Sequence, residues 1–321
     1  MRVSLALAVL FTIGGVAQAI PFWAHEDTRR RDGLMAIGDR HLGDAKRTAA
    51  AIAGSRGAMP DLVRDYLAEQ SRAALGAFER ALDVGPETAD LHYRAFLAAV
   101  LLAESHEGAM TGYRESYEAV VRHVEGVRRL QPLDSREDEL AIQAGIAYSK
   151  LGGLGGPTAD GYFEKGIREY EHFRSIDGSQ LYADSLAQSY SNEAELLMAV
   201  GRLDEALSYY RTSIELYPIE PLGYFGLAVA YDRNGEWSKA VETMLQASEH
   251  GTGVEKLKER GVFFVPNGDI FYYYGLFHQV RGEAATAAME YTRFLERCTD
   301  TKYAARARDH LAELRQSGAP R

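Results

Sequence analysis

Apolar residues recur along this chain at helical spacing, in short runs broken by Gly, Pro or Asp-Gly. Leu34, Ile37, Leu42 and Ile52 fall on one side of a helix expected over Asp27–Gly54. Pro60 opens a second, running to Val84, with Leu67, Ala74, Phe78 and Leu82 in register. Thr88–Glu104 follows with Ala95, Ala98 and Ala99, small residues that let a neighbouring helix come close; Gly108–Leu130 pairs with it and stops at Pro132. Ser135, with Asp138 three residues on, predicts an approximate capping box for the next helix. Its partner spans Asp160–Ile176, with Phe163, Ile167, Tyr170 and Phe173 inward.

From Ala187 the pattern sharpens into two rows set 34 residues apart. Tyr190, Ala194, Leu197, Gly201, Ala206, Tyr210 and Pro218 form the first. Tyr224, Ala228, Tyr231, Gly235, Ala240 and Met244 take the same places in the second, and Gly251 stands one place before the second proline position. Small residues at Ala194 and Ala206 allow close helix approach, large ones fill the gaps, and Gly201 and Gly235 suit left-handed helix ends. A third row, Phe271, Gly275, His278, Gly282, Ala287 and Tyr291, arrives late, because Ala287 lies 47 rather than 34 residues after Ala240. The excess sits around Thr252–Pro266. There Val254–Arg260 predicts one or two extra helical turns, and Gly261–Pro266 an extended apolar stretch.

A period of 34 with this arrangement resembles the tetratricopeptide repeat (TPR) family. The resemblance is firm over Leu186–Arg297 and weaker over Pro60–Ile176. It implies an all-α fold: a right-handed superhelical solenoid of antiparallel helix pairs, in which stacking buries faces that no pair covers alone. The expected organisation is a signal peptide at 1–19, a lead-in and helix at 20–59, and divergent pairs at 60–176. Clear repeats follow at 177–300 with an insertion at 252–266, then a capping helix and tail at 301–321. In that last helix Ala304, Ala307, Leu311 and Leu314 face inward.

Charge and compartment add two constraints. Arg2, the apolar run Leu5–Val16 and the small-x-small site Ala17-Gln18-Ala19 read as an export signal cut after Ala19, hence a periplasmic or secreted protein. The remainder has 35 basic against 46 acidic residues, which argues against nucleic acid or anionic lipid as partner. Cys298 is the only cysteine and is expected to be buried and inert on a helix.

Patterns for chemistry fail on inspection. His25-Glu26 and His106-Glu107 start a zinc-helix motif, but Arg29 and Met110 stand where its second histidine belongs. Gly152–Pro157 is glycine-rich, yet Thr158 replaces the third glycine of a dinucleotide loop, so a helix–helix turn is expected. The acidic run Asp134–Glu139 lacks the alternating oxygen ligands and central glycine of a calcium loop and suits a helix start. His278 reads as a satisfied core or edge histidine. No cofactor and no metal is implied.

In the TPR family the concave face is lined by set places on the first helix of each repeat. The matching places are Gln188, Ser191, Glu195 and Met198; then Leu222, Phe225, Val229 and Asp232; then Asp269, Tyr272, Leu276 and Gln279. None is basic, which disfavours capture of a terminal carboxylate. The apolar strip Leu222, Phe225, Val229, Tyr272 and Leu276, edged by Asp232 and Asp269, predicts a protein or peptide partner with apolar anchors. A second expectation stands beside it: the stack fills its own groove, with Val262–Val265 lying in it. The leading functional reading is a non-catalytic adaptor. An enzyme built from scattered residues such as His106, His123 and Asp134, and a self-associating envelope component, are the alternatives.

Overall fold

The structure, a computed structural model, describes residues 22–53, 59–106, 113–176, 183–250, 253–259, 262, 264–300 and 302–316, with backbone only at 22–25. The export segment lies outside them. The described residues are helical, with no strand, and form two compact units that divide after Asp134. Within the second of these, the helices Ala159–Ser175 and Ala183–Ala199, on either side of residues 177–182, pack together.

The first unit holds α1 (Phe22–Ile52), α2 (Asp61–Asp83), α3 (Ala89–Ser105) and α4 (Tyr113–Leu130), each packed on the next. Thr88 caps α3: its hydroxyl accepts the Leu91 N–H at 3.2 Å. Leu67, Ala74, Phe78, Ala95, Phe96, Val124 and Val127 make the core. The inward line of α1 runs through Gly38, Leu42 and Ala45, and the expected Ile37 is 42% exposed. The reason is contact distance: the Phe78 ring lies where a side chain on residue 38 would begin, so α1 turns its glycine to α2 and Ile37 rotates outward.

The second unit holds α5 (Glu137–Gly153), α6 (Ala159–Ser175), α7 (Ala183–Ala199), α8 (Leu203–Leu216), α9 (Pro221–Arg233), α10 (Trp237–Glu249), a 3-10 segment (Gly253–Lys258), α11 (Ile270–Val280), α12 (Ala284–Arg297) and α13 (Ala304–Gln316). Helices α5 and α6, α7 and α8, α9 and α10, and α11 and α12 pair, and successive pairs pack on each other. Gly201, Gly235 and Gly282 close the first helices at φ 87°, 80° and 76°, a left-handed region that favours glycine. Pro221 sits in the first turn of α9. Large meets small throughout: Tyr170 lies on Gly145, Tyr210 on Gly226 and Tyr291 on Gly275. All three tyrosines are buried, and side chains of this size stabilise by roughly 1.5–3 kcal/mol each.

Two expectations on local structure are corrected. Ser135 does not cap α5: the residue before its first turn is Arg136, with no side-chain cap, and Asp138 accepts only the N–H of Glu139. The three acids Glu137, Asp138 and Glu139 occupy the first turn, where the helix dipole favours them. Cys298 lies just past the end of α12, half-buried, rather than within a helix. Burial first, and the Asp269 carboxylate second, push its thiol up to about 12, so it is a poor nucleophile.

Candidate binding groove

The inner side of the second unit splits into a sealed part and an open part, and the predicted strip falls mostly in the sealed one. Phe225, Val229, Tyr272 and Leu276 have no exposed surface; Asp232 and Asp269 are buried as well, and only Leu222 is half-exposed. The strip is therefore interior, covered by the chain itself. Val265 is buried against this core. Its neighbour Phe264 packs edge-on to Tyr273 with centroids 4.7 Å apart, and Asn267 N–H donates to the Gly153 carbonyl at 2.9 Å. Self-filling by the insertion is what the structure shows at Val265; Gly261 and Phe263 lie outside the described residues.

The C-terminal segment seals the rest. Asp232, buried near the end of α9, accepts from Tyr272 Oη at 2.5 Å, Arg306 Nη2 at 2.6 Å and His310 Nε2 at 2.8 Å. These bonds hold its carboxyl below the usual carboxylate range against the opposing effect of burial. Next to it the buried Arg233 pairs with buried Asp269 at 2.5 Å, its guanidinium 4.5 Å from the Tyr272 ring and 4.1 Å from that of Tyr303. Tyr303 Oη and Lys302 Nζ donate to the carbonyls of Met198 and Ala199 at the end of α7, at 2.7 and 2.6 Å. The acids expected at the edge of an open strip thus belong to an interior polar network. The spacing of Arg306 and His310, one turn apart on the inward side of α13, was the available signal for it.

An open groove of about 390 Å³ remains between α7, α8, α9 and the 3-10 segment. On α7, Gln188, Ser191, Asn192 and Glu195 fall on one helical face and line it. Across from them stand Leu222 of α9 and Lys256 and Leu257 of the 3-10 segment, with Tyr217, Val262 and Phe264 also on the wall. Ser191 and Ser213 hydroxyls are 2.6 Å apart, and Ser213 donates to the Ala187 carbonyl, which fixes α8 against α7. Glu195 forms the floor. It accepts from Tyr210 Oη at 2.7 Å, Tyr273 Oη at 2.5 Å and the Val265 N–H at 3.3 Å. Burial, with the Asp269 carboxylate second, pushes Glu195 up to about 7.

Residues weighed for chemistry fall elsewhere. In the first unit the Nδ1 atoms of buried His92 and His123 are 3.0 Å apart, so one donates and the other accepts. Glu87 lies 3.2 Å from His92 Nε2, and Glu79 3.5 Å from His123 Nε2. His106 contacts Ser116 and Arg72 instead, and Asp134 is buried at the end of the unit. His278 is an edge histidine bonded to Glu283 at 2.6 Å. Among the described residues no group of three or more His, Cys, Asp or Glu is placed to hold a metal ion, and no helix is long and apolar enough to cross a membrane.

Comparison with known proteins gives one family match and several distant structural likenesses. The family model for the tetratricopeptide repeat matches residues 191–251. No curated protein matches the chain. Among solved structures, pilF of Pseudomonas aeruginosa is similar at 14% identity, covering 91% of this chain and 99% of its own, with a TM-score of 0.46. YrrB, described as a TPR protein with an unusual peptide-binding site, is similar at 18% identity over 64% of this chain and 92% of its own, TM-score 0.42. A thermophilic TPR protein of Thermus thermophilus shows 18% identity over 59% of this chain and 88% of its own, TM-score 0.39. At such scores the likeness says nothing of function. With the 34-residue register and the helix pairs described above, residues 191–251 are tetratricopeptide repeats.

Proposed function

We propose that this protein is an exported adaptor that holds a segment of a partner protein in the groove between α7, α9 and the 3-10 segment. The observation that carries this is the contrast within one inner face. Phe225, Val229, Tyr272 and Leu276 are closed over, while Gln188, Ser191, Glu195 and Leu222 still line about 390 Å³ of open space. That volume falls in the range of ligand sites, and the wall mixes polar groups with Leu222, Tyr217 and Phe264, which suit apolar anchors of a bound segment. A groove already shaped by packed helices binds with little ordering cost of its own. Export is part of the proposal and rests on the Met1–Ala19 pattern. No cofactor is required.

The test is site-specific photocrosslinking in cells. A photoreactive residue replacing Gln188 or Ser191 is expected to capture a discrete protein. The same group at Met289, 45% exposed on α12 and away from the groove lining, is expected to capture none. Equal capture from both places would refute the groove as the binding surface. N-terminal sequencing of the fractionated protein is expected to begin at Ile20; a cytoplasmic protein starting at Met1 would refute export.

A further inference from the structure

Beyond the cleft's shape stands its charge. Among the described residues the groove is lined by four carboxyl groups, Asp184, Glu195, Glu220 and Glu259, and a single cation, Lys256. That lysine is already bracketed, 3.3 Å from Glu220 and 3.1 Å from Glu259. Glu195 and Asp184 face the space with no cation at ion-pair distance among the described residues. The Oε1 of Glu195 carries only the 3.3 Å bond from Val265 and has room to accept another. The rings of Tyr217, Phe264 and Tyr273 also line the groove, and aromatic faces attract cations as carboxylates do.

Resting on the reading of the groove as a partner-binding site, we propose that it selects a segment bearing a lysine or arginine side chain. The cation is drawn in by Glu195 on the floor and by Asp184, three turns away along α7. Lys256 shows the chemistry within the molecule itself: an ammonium held between two carboxylates at the mouth of the same groove. A basic side chain gains an ion pair here that a neutral replacement of the same shape cannot make.

The probe is a displayed random dodecapeptide library selected on the full-length protein, followed by binding measurements on the best peptide. The expected result is enrichment of Lys or Arg at one position, and at least about tenfold weaker binding when that residue becomes norleucine or Gln. Glu195→Gln and Asp184→Asn are each expected to shrink this discrimination while the peptide's apolar residues keep their contribution. Asp184 lies exposed in the first turn of α7, so its variant tests the inference even if Glu195→Gln loses the fold. Selected peptides without a basic residue, or discrimination unchanged in both variants, would overturn the inference and leave the binding site standing. Failure to select any peptide would overturn both.

Discussion

The two units treat charge in opposite ways. In the first, the buried histidines His92 and His123 hand their polarity outward to Glu87 and Glu79, which remain 43% and 40% exposed. In the second, Arg233, Asp269, Asp232 and His310 are all enclosed, and Glu193, also buried, pairs with Arg174, which packs over the Tyr190 ring at 4.3 Å. A rim carboxylate costs little to ionise and contributes little. An enclosed one must be matched inside, and removing its match leaves a charge stranded. The polar inner places of a helical repeat therefore have two fates: left lining an open groove, as at Gln188 and Ser191, or matched by another part of the same chain, as at Asp232.

The largest effect expected from this contrast is at Arg233. Arg233→Ala should destabilise the second unit by about 3–5 kcal/mol in urea unfolding, because Asp269 is left buried and unpaired. Arg129→Ala, which removes only an exposed partner of Glu87 in the first unit, should change stability far less. Similar losses from both would erase the distinction.

Next in size is an opposite response to pH. Burial raises Glu195 and Glu193 to about 7, above the 4.5 of an ordinary glutamate. The folded second unit then holds protons that its unfolded form has released. Stability is fully present below 4.5 and is lost as pH rises through 7, by up to roughly 3 kcal/mol for a fully buried group. In the first unit the directions reverse. Burial lowers His92, and bonds to His123 and Arg129 lead in lowering Glu79 and Glu87 respectively. That unit is fully stabilised above 6.5 and loses stability as pH falls, first through the histidine and then through the glutamates. Hydrogen exchange followed peptide by peptide should show α7 and α9 opening faster from pH 5 to pH 8, and α3 and α4 opening faster in the other direction. Parallel trends would contradict the assignment, and Glu195→Gln should reduce the slope of the second unit to the share of Glu193 and leave that of the first unit unchanged.

The smallest effects sharpen the packing side. Gly126→Ala on α4 would drive a methyl into the His92 ring and is expected to cost about 1–3 kcal/mol. Gly33→Ala on α1 meets open space and should stabilise by up to about 1 kcal/mol through helix propensity. Thermal melts of the two variants should move in opposite directions.

The paired helices were legible because each hairpin is written locally. Tyr291 and the small residue it meets on the partner helix, Gly275, are only 16 positions apart. The register also placed Gln188, Ser191, Glu195 and Leu222 on the inner face, and these line the groove. What periodicity does not carry is which distant segment lies over a given face. Phe225 and Leu276 have the spacing of an exposed strip and of a core alike. Their burial depends on Val265 and on a C-terminal helix whose contacts to Asp232 span 74 and 78 residues. Ile37 misled for a related reason: helical spacing names a face about a hundred degrees wide, and the approach of Phe78 to Gly38 chose its centre.

The link from Asp232 to Arg306 and His310 sets an order on the birth of this protein. A chain emerging from the ribosome can wind its early hairpins as they appear, yet the acid of α9 finds its mates on α13 only after 74 and 78 more residues have been made. Until then the interior polar network around Asp232 lacks two of its three donors.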